Sequence, residues 1–118
     1  FDSSEVDREP YMAPGLVTAE KAARGKLPTD VWWHTIVPTN GAEKTGYPTQ
    51  KPEGVVRRMV LASTREGDAV LDPFAGSGTL GAVSAKLGRR YTLIDSSDEA
   101  IRVITDRLAG IESENSAA

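Results

Sequence analysis

Apolar residues fall at regular spacings from position 53 onward, and before it they do not. Val55, Val56, Met59 and Val60 share one face at helical spacing. Pro52 suits the first position of that helix, where its missing N–H costs nothing, and Gly67 bounds its end. Ala69-Val70-Leu71 is a short apolar run between turn residues, the length of a buried parallel strand. Leu80, Val83 and Leu87 recur at i, i+3 and i+7, which predicts a second helix capped by Gly88. Tyr91-Thr92-Leu93-Ile94 predicts the next strand. Ser96 followed by Glu99 matches a capping box. Ile101, Ile104 and Leu108 then predict the inner face of a third helix, ended by Gly110.

Residues 1–52 have a different character and hold six of the seven prolines. A short helix is expected over Val17 to Arg24, stopped by Gly25. Val31 to Val37 is rich in aromatic and β-branched residues and stops at Pro38, which predicts a strand. Trp32 and Trp33 alternate in it, so one is expected to face inward. Asn40-Gly41 and Thr45-Gly46 mark loop. The tail 111–118 is small and polar and is expected to fray.

The order helix, strand, helix, strand, helix defines an α/β class with parallel strands and crossover helices. Two strands are too few for a stable doubly wound sheet. The sheet is therefore expected to be incomplete here, and the chain to be part of a larger domain.

Composition narrows the chemistry. The 118 residues are 39% hydrophobic and 26% charged, with a formal charge of −3. That balance argues against a free-standing, strongly basic nucleic-acid binder. Cysteine is absent, and His34 is the one histidine. Thiolate metal sites are excluded, and no metal site or Ser-His-Asp triad is expected. No apolar run suits a membrane span and no signal peptide is recognisable, so a cytoplasmic setting without a membrane is expected.

The informative stretch is Asp72-Pro73-Phe74-Ala75-Gly76-Ser77-Gly78-Thr79, between a strand and a helix. Gly76 and Gly78 permit tight turning and close approach of a ligand. Free N–H groups of the next helix point into the same space. Asp95 ends the following strand, where a carboxylate can bind ribose hydroxyls. No Lys-Ser or Lys-Thr follows the glycines, so the phosphate loop of NTPases is absent. Gly81 lies three residues after Gly78, yet the loop opens on Asp72-Pro73, and an acid there repels a pyrophosphate. A sulfonium-bearing, phosphate-free nucleoside such as S-adenosylmethionine suits that polarity better. The competing reading is a plain Gly-rich turn.

The eight-residue motif resembles the cofactor motif of the DNA amino-methyltransferases, which act on the exocyclic amine of adenine or cytosine. Tyr47-Pro48-Thr49-Gln50-Lys51-Pro52 is similar to the family's His-Pro-Thr-Gln-Lys-Pro element, and Asp30-Val31-Trp32 to the Asp-Val-Trp that often precedes it. The match covers residues 30–95 and extends to about 108. Tyr47 replaces the usual His, and Asp95 the usual Glu. The family's Asp/Asn/Ser-Pro-Pro-Tyr/Phe catalytic motif is absent from these 118 residues. The resemblance implies the last part of a permuted order in which the catalytic half comes first. Residues 1–29 would end the target-recognition region, 30–110 would form the cofactor-binding part, and 111–118 would be tail.

The resemblance implies a partial Rossmann-like methyltransferase fold with S-adenosylmethionine as cofactor and DNA as the partner of the whole enzyme. Adenine N6 is favoured over cytosine N4. Cofactor-side residues would be Thr49, Gln50, Lys51, Asp72, Pro73, Phe74, Gly76, Ser77, Gly78, Thr79, Asp95 and Ser96, with no catalytic residue in this chain. Asp72 would lie near the methionine end, and Asp95 would hold the ribose. Phe74 would pack beside the ligand, while Thr79 is open between capping the helix and contacting it. Arg57, Arg58, Arg65, Lys86, Arg89 and Arg90 are expected to be mostly surface charges. The missing catalytic segment would act in cis or in trans, and a homodimer would be another way to complete the sheet. The alternative is a non-catalytic remnant, or a subunit completed by another chain.

Overall fold

The computed structural model describes residues 3–117, with side chains through 113. Its elements are helix α1 (Ala19–Arg24), helix α2 (Glu53–Ser63), strand β1 (Ala69–Asp72), helix α3 (Thr79–Lys86), strand β2 (Arg90–Leu93) and helix α4 (Asp98–Ala117). A 3-10 turn, Pro14–Leu16, precedes α1. Thr18 caps α1 through its side chain, which accepts from the Lys21 N–H, and Gly25 follows with φ 73°. No helix among the described residues is long and apolar enough to cross a membrane.

The two strands pair in parallel, with Ala69 opposite Arg90 and Asp72 opposite Leu93. They are the whole sheet among the described residues. Helix α3 joins them and packs on β2, α2 and α4. Gly81 makes that closeness possible, because a Cβ there would collide with Leu93 Cδ1. The core gathers Val60 and Leu61 of α2, Ala82 and Val83 of α3, and Ala100, Ile104 and Ile111 of α4. Across β1 and β2, exposed and half-buried residues alternate. Leu71 is 61% exposed, although parallel strands ordinarily bury both faces. The expected incompleteness of the sheet is thus visible within the described residues.

Several expectations require correction. Val31 to Val37 forms no strand. β-propensity reflects packing against cross-strand neighbours, and this segment pairs with no strand among the described residues. Val31, Trp33 and Ile36 are exposed, Val37 alone is buried, and Trp32 is half-buried beneath the Arg58 guanidinium, 4.8 Å from its ring centroid. Pro52 is the N-cap of α2 rather than its first helical residue. The cap of α4 is Ser97, not Ser96: the Ser97 hydroxyl accepts from the Ala100 N–H at 3.3 Å, and its carbonyl from the Ile101 N–H at 3.0 Å. Helix α4 does not stop at Gly110 but continues to Ala117. Ile111 extends the apolar stripe of Ala100 and Ile104 and is buried, which rewards another turn of helix. Residues 111–117, expected to fray with the rest of the tail, instead continue α4, while Ala118 lies outside the described residues.

Arg89 is also not a surface charge. It is 6% exposed and ties two helix ends together. Its guanidinium donates to the carbonyls of Thr64 and Leu87 at 2.9 and 2.7 Å, and pairs with Glu5 at 3.2 Å. A cation here offsets the negative ends of both α2 and α3.

Candidate functional site

The site is built where both parallel strands end. Past the last strand residues the pairing continues: Ile94 N–H donates to the Asp72 carbonyl at 2.9 Å, and Ala75 N–H to the Ile94 carbonyl at 3.0 Å. The chain must then turn from strand to helix within a few residues. Gly76 and Gly78 do so with φ of 52° and 69°, a left-handed region costly for other residues. Ile104 also presses on Gly78, where a Cβ would come within 2.9 Å of its Cγ1.

Two carboxylates shape this turn. Asp72 Oδ1 accepts from the Phe74 N–H at 3.1 Å. Asp95 accepts from the Ser97 N–H at 2.9 Å through Oδ1 and from the Gly76 N–H at 2.8 Å through Oδ2. These donors, Ser97 first, then Gly76, with Ser96 adding a smaller contribution, hold the Asp95 carboxyl below its ordinary value. Asp95 therefore joins the end of β2 to the glycine turn after β1.

A cavity of about 180 Å³ lies against this turn, with Thr49, Lys51, Asp72, Phe74, Gly76 and Ser77 in its wall. Larger hollows of about 550 Å³ beside Trp32 and Arg58, and about 420 Å³ beside Asp106 and Arg107, are lined by other residues. Size does not locate the site; in open α/β sheets ligands bind outside the carboxyl ends of the strands, and the smaller cavity is there.

The sequence-predicted residues divide in position. Thr49, Lys51, Asp72, Phe74, Gly76, Ser77 and Thr79 meet at the cavity. Pro73 is exposed in the turn, Phe74 is 87% exposed, and Gly78 is the N-cap of α3. Gln50 is turned into its own loop: Oε1 accepts from the Thr45 N–H and hydroxyl at 2.9 and 2.8 Å, and Nε2 donates to the Glu43 carbonyl. The Thr79 hydroxyl faces inward, donating to the Lys51 carbonyl at 3.2 Å and accepting from Arg107 at 3.2 Å. Ser96 is exposed and gives Asp95 a backbone contact.

Sequence reasoning missed Arg107 and Glu53. Arg107 is 8% exposed in its side chain and pairs with Glu53 at 2.8 Å, and Glu53 pairs again with Lys86 at 2.7 Å. The Glu53 carboxyl is driven up by burial, but the bonds to Lys86 and Arg107 outweigh this and leave it below its ordinary value. A signal did exist: Arg107 stands between Ile104 and Ile111 in the apolar stripe of α4, where a lone cation demands a partner.

A parallel strand pair, a glycine turn and a carboxylate at the next strand end place the chain in the α/β class. Residues 2–106 match the family of N6/N4 DNA methylases. The chain belongs to that family. It is 47% identical over 93 residues to the type II methyltransferase M2.DpnII of Streptococcus pneumoniae, covering 77% of this chain and 33% of that protein. It is 45% identical over 83 residues to the DNA adenine methyltransferase YhdJ of Escherichia coli K12, covering 70% of this chain and 28% of that one. The chain thus spans about a third of the length of these relatives. Among solved structures it is similar to the M1.HpyAVI–SAM complex, with a TM-score of 0.56 and 38% identity over 60% of this chain and 35% of that one. TTHA0409 of Thermus thermophilus, solved with S-adenosyl-L-methionine, gives a TM-score of 0.50 and 33% identity over 52% of this chain and 26% of that one.

Proposed function

We propose that this chain is the S-adenosylmethionine-binding part of an enzyme that methylates the exocyclic amine of adenine or cytosine in DNA, adenine N6 ahead of cytosine N4. The observation that carries this reading is the bond from Gly76 N–H to Asp95, which brings the glycine turn and the strand-end acid to one edge. The donor set suits the cofactor. Asp95 keeps unused lone pairs for two ribose hydroxyls, Asp72 keeps a free oxygen towards the cationic methionine end, and Phe74 offers an apolar face. The turn lacks the lysine that a phosphate ligand would require after the glycines.

When bound, the cofactor supplies an electrophilic methyl group. The residues of this chain orient it; the contribution is positioning rather than acid–base work. Thr49 and Lys51 add donors to the lining of the same cavity, and the target base would leave the duplex to reach the methyl. The base-holding Pro-Pro-aromatic motif would come from a catalytic segment, in cis or trans. The exposure of Leu71 and Ile94 at the strand ends supports completion of the sheet by a further segment, with a second copy of this chain as the other way to complete it. The experiment is a calorimetric titration of S-adenosylmethionine into the 118-residue chain, alone and with a catalytic segment supplied in trans. Stoichiometric binding, displaced by the demethylated product, is expected. A folded protein that releases no heat in either setting refutes the reading.

A further inference from the structure

We infer that Arg107 is a positioning residue for the cofactor turn, acting from the far side of the wall that meets the ligand. This rests on the reading of the turn as a cofactor site.

Arg107 Nη1 donates to the Ser77 carbonyl at 3.1 Å and to the Thr79 hydroxyl at 3.2 Å, while Nη2 donates to Glu53 at 2.8 Å. One planar guanidinium therefore joins three parts of the chain: the glycine turn, the start of α2 and the middle of α4. An arginine supplies this fork and a lysine does not.

The hydroxyl of Thr79 carries the coupling onward. Its single proton goes to the Lys51 carbonyl at 3.2 Å. Its lone pairs face Arg107 at 3.2 Å and the Ser77 hydroxyl, also at 3.2 Å. With the proton committed to Lys51, the Ser77 hydroxyl must be the donor in that last bond. Every site on the Thr79 oxygen is then used, and none remains for a ligand. Thr79 is 5% exposed and Ser77 4%, so water does not compete.

The consequence is mechanical. Lys51 and Thr49, from the loop before α2, and Gly76 and Ser77, from the glycine turn, both line the cavity. Arg107 and Thr79 are the polar bridge between those two segments, and Ile104, one turn earlier on α4, packs against Gly78. Helix α4 thus fixes the spacing of the cradle without touching what it holds.

The test compares two buried arginines. Arg107→Lys keeps the charge but loses the fork; Arg89→Lys makes the same change at a buried arginine bonded to Thr64 and Leu87 rather than to the cavity walls. Both variants should lower thermal stability. Arg107→Lys should weaken S-adenosylmethionine binding by about tenfold, as the loss of charge-assisted hydrogen bonds predicts, and speed amide exchange at Gly76 to Gly78. Arg89→Lys should change affinity by less than about twofold, being distant and independent. Thr79→Val, which removes the bridging hydroxyl, should also weaken binding, and Thr79→Ser should restore it. Two results overturn the inference: affinity losses that run parallel in the two lysine variants, or unchanged affinity in a folded Arg107→Lys. If Arg107→Lys does not fold, unchanged affinity in Thr79→Val alone overturns it. Absence of binding by the unaltered chain is a different outcome, and counts against the cofactor reading itself.

Discussion

The backbone N–H of Gly76 and the carboxylate of Asp95 are joined at 2.8 Å across 19 positions of sequence. This bond ties the turn after one strand to the end of the next. Asp95 thus shapes the turn through its carboxylate, although it is not itself in the wall of the cavity.

Asp95→Ala should weaken S-adenosylmethionine binding by about tenfold or more, since it removes the turn's acceptor and, on the proposed reading, the ribose acceptor as well. Asp95→Glu should lose less, because the carboxylate survives. Calorimetry on the two variants decides; equal losses would show that Asp95 is not a ribose ligand.

The same carboxyl gives a pH signature. Its folded-state value lies below the ordinary 3.8. A depressed carboxyl stabilises the fold above its unfolded value and loses that contribution as pH falls through the folded value. The stability difference between the parent chain and Asp95→Asn should therefore be flat above about pH 5 and shrink below about pH 4. Thermal melts across that range provide the measurement, and a difference that persists unchanged to the lowest accessible pH would contradict it.

Gly78 and Gly110 should respond in opposite directions to alanine. Gly78 has φ 69° and Ile104 Cγ1 2.9 Å from a prospective Cβ, so Gly78→Ala should cost about 1–3 kcal/mol. Gly110 lies within α4 with nothing near a prospective Cβ, so Gly110→Ala should add up to about 1 kcal/mol. Denaturant titration gives both values. Destabilisation by Gly110→Ala would mean that α4 ends there after all.

Adjacent arginines should differ as sharply. Arg89→Met leaves the Thr64 and Leu87 carbonyls without their donor in a buried place and should cost about 2–4 kcal/mol. Arg90 is exposed, and Arg90→Met should stay within about 0.5 kcal/mol. Unfolding midpoints of the pair check this contrast.

No methyl transfer is expected from the 118-residue chain by itself, whatever DNA is offered. No Pro-Pro-aromatic segment occurs in it, and its charge of −3 provides no steering towards a polyanion. Tritiated methyl incorporation is the assay, with a catalytic segment added in trans as the positive arm. Turnover by the chain alone would place catalytic residues within it.

The sequence by itself determined the alternation of α2, β1, α3, β2 and α4, because each depends on local spacing of apolar residues and on nearby turn residues. It also determined where the chain turns from β1 into α3, since Gly76 and Gly78 permit the left-handed backbone found there. Tertiary structure decided whatever depended on a partner distant in sequence. Val31 to Val37 has strand composition but pairs with no strand among the described residues, and α4 crosses Gly110 because Ile111 finds a buried place. Gln50 and Thr79 look like ligand donors in the motif, yet their polar atoms are taken up by Glu43, Thr45, Lys51 and Arg107. Spacing along the chain records which face a residue occupies; it does not record which hydrogen-bond partner reaches that face first.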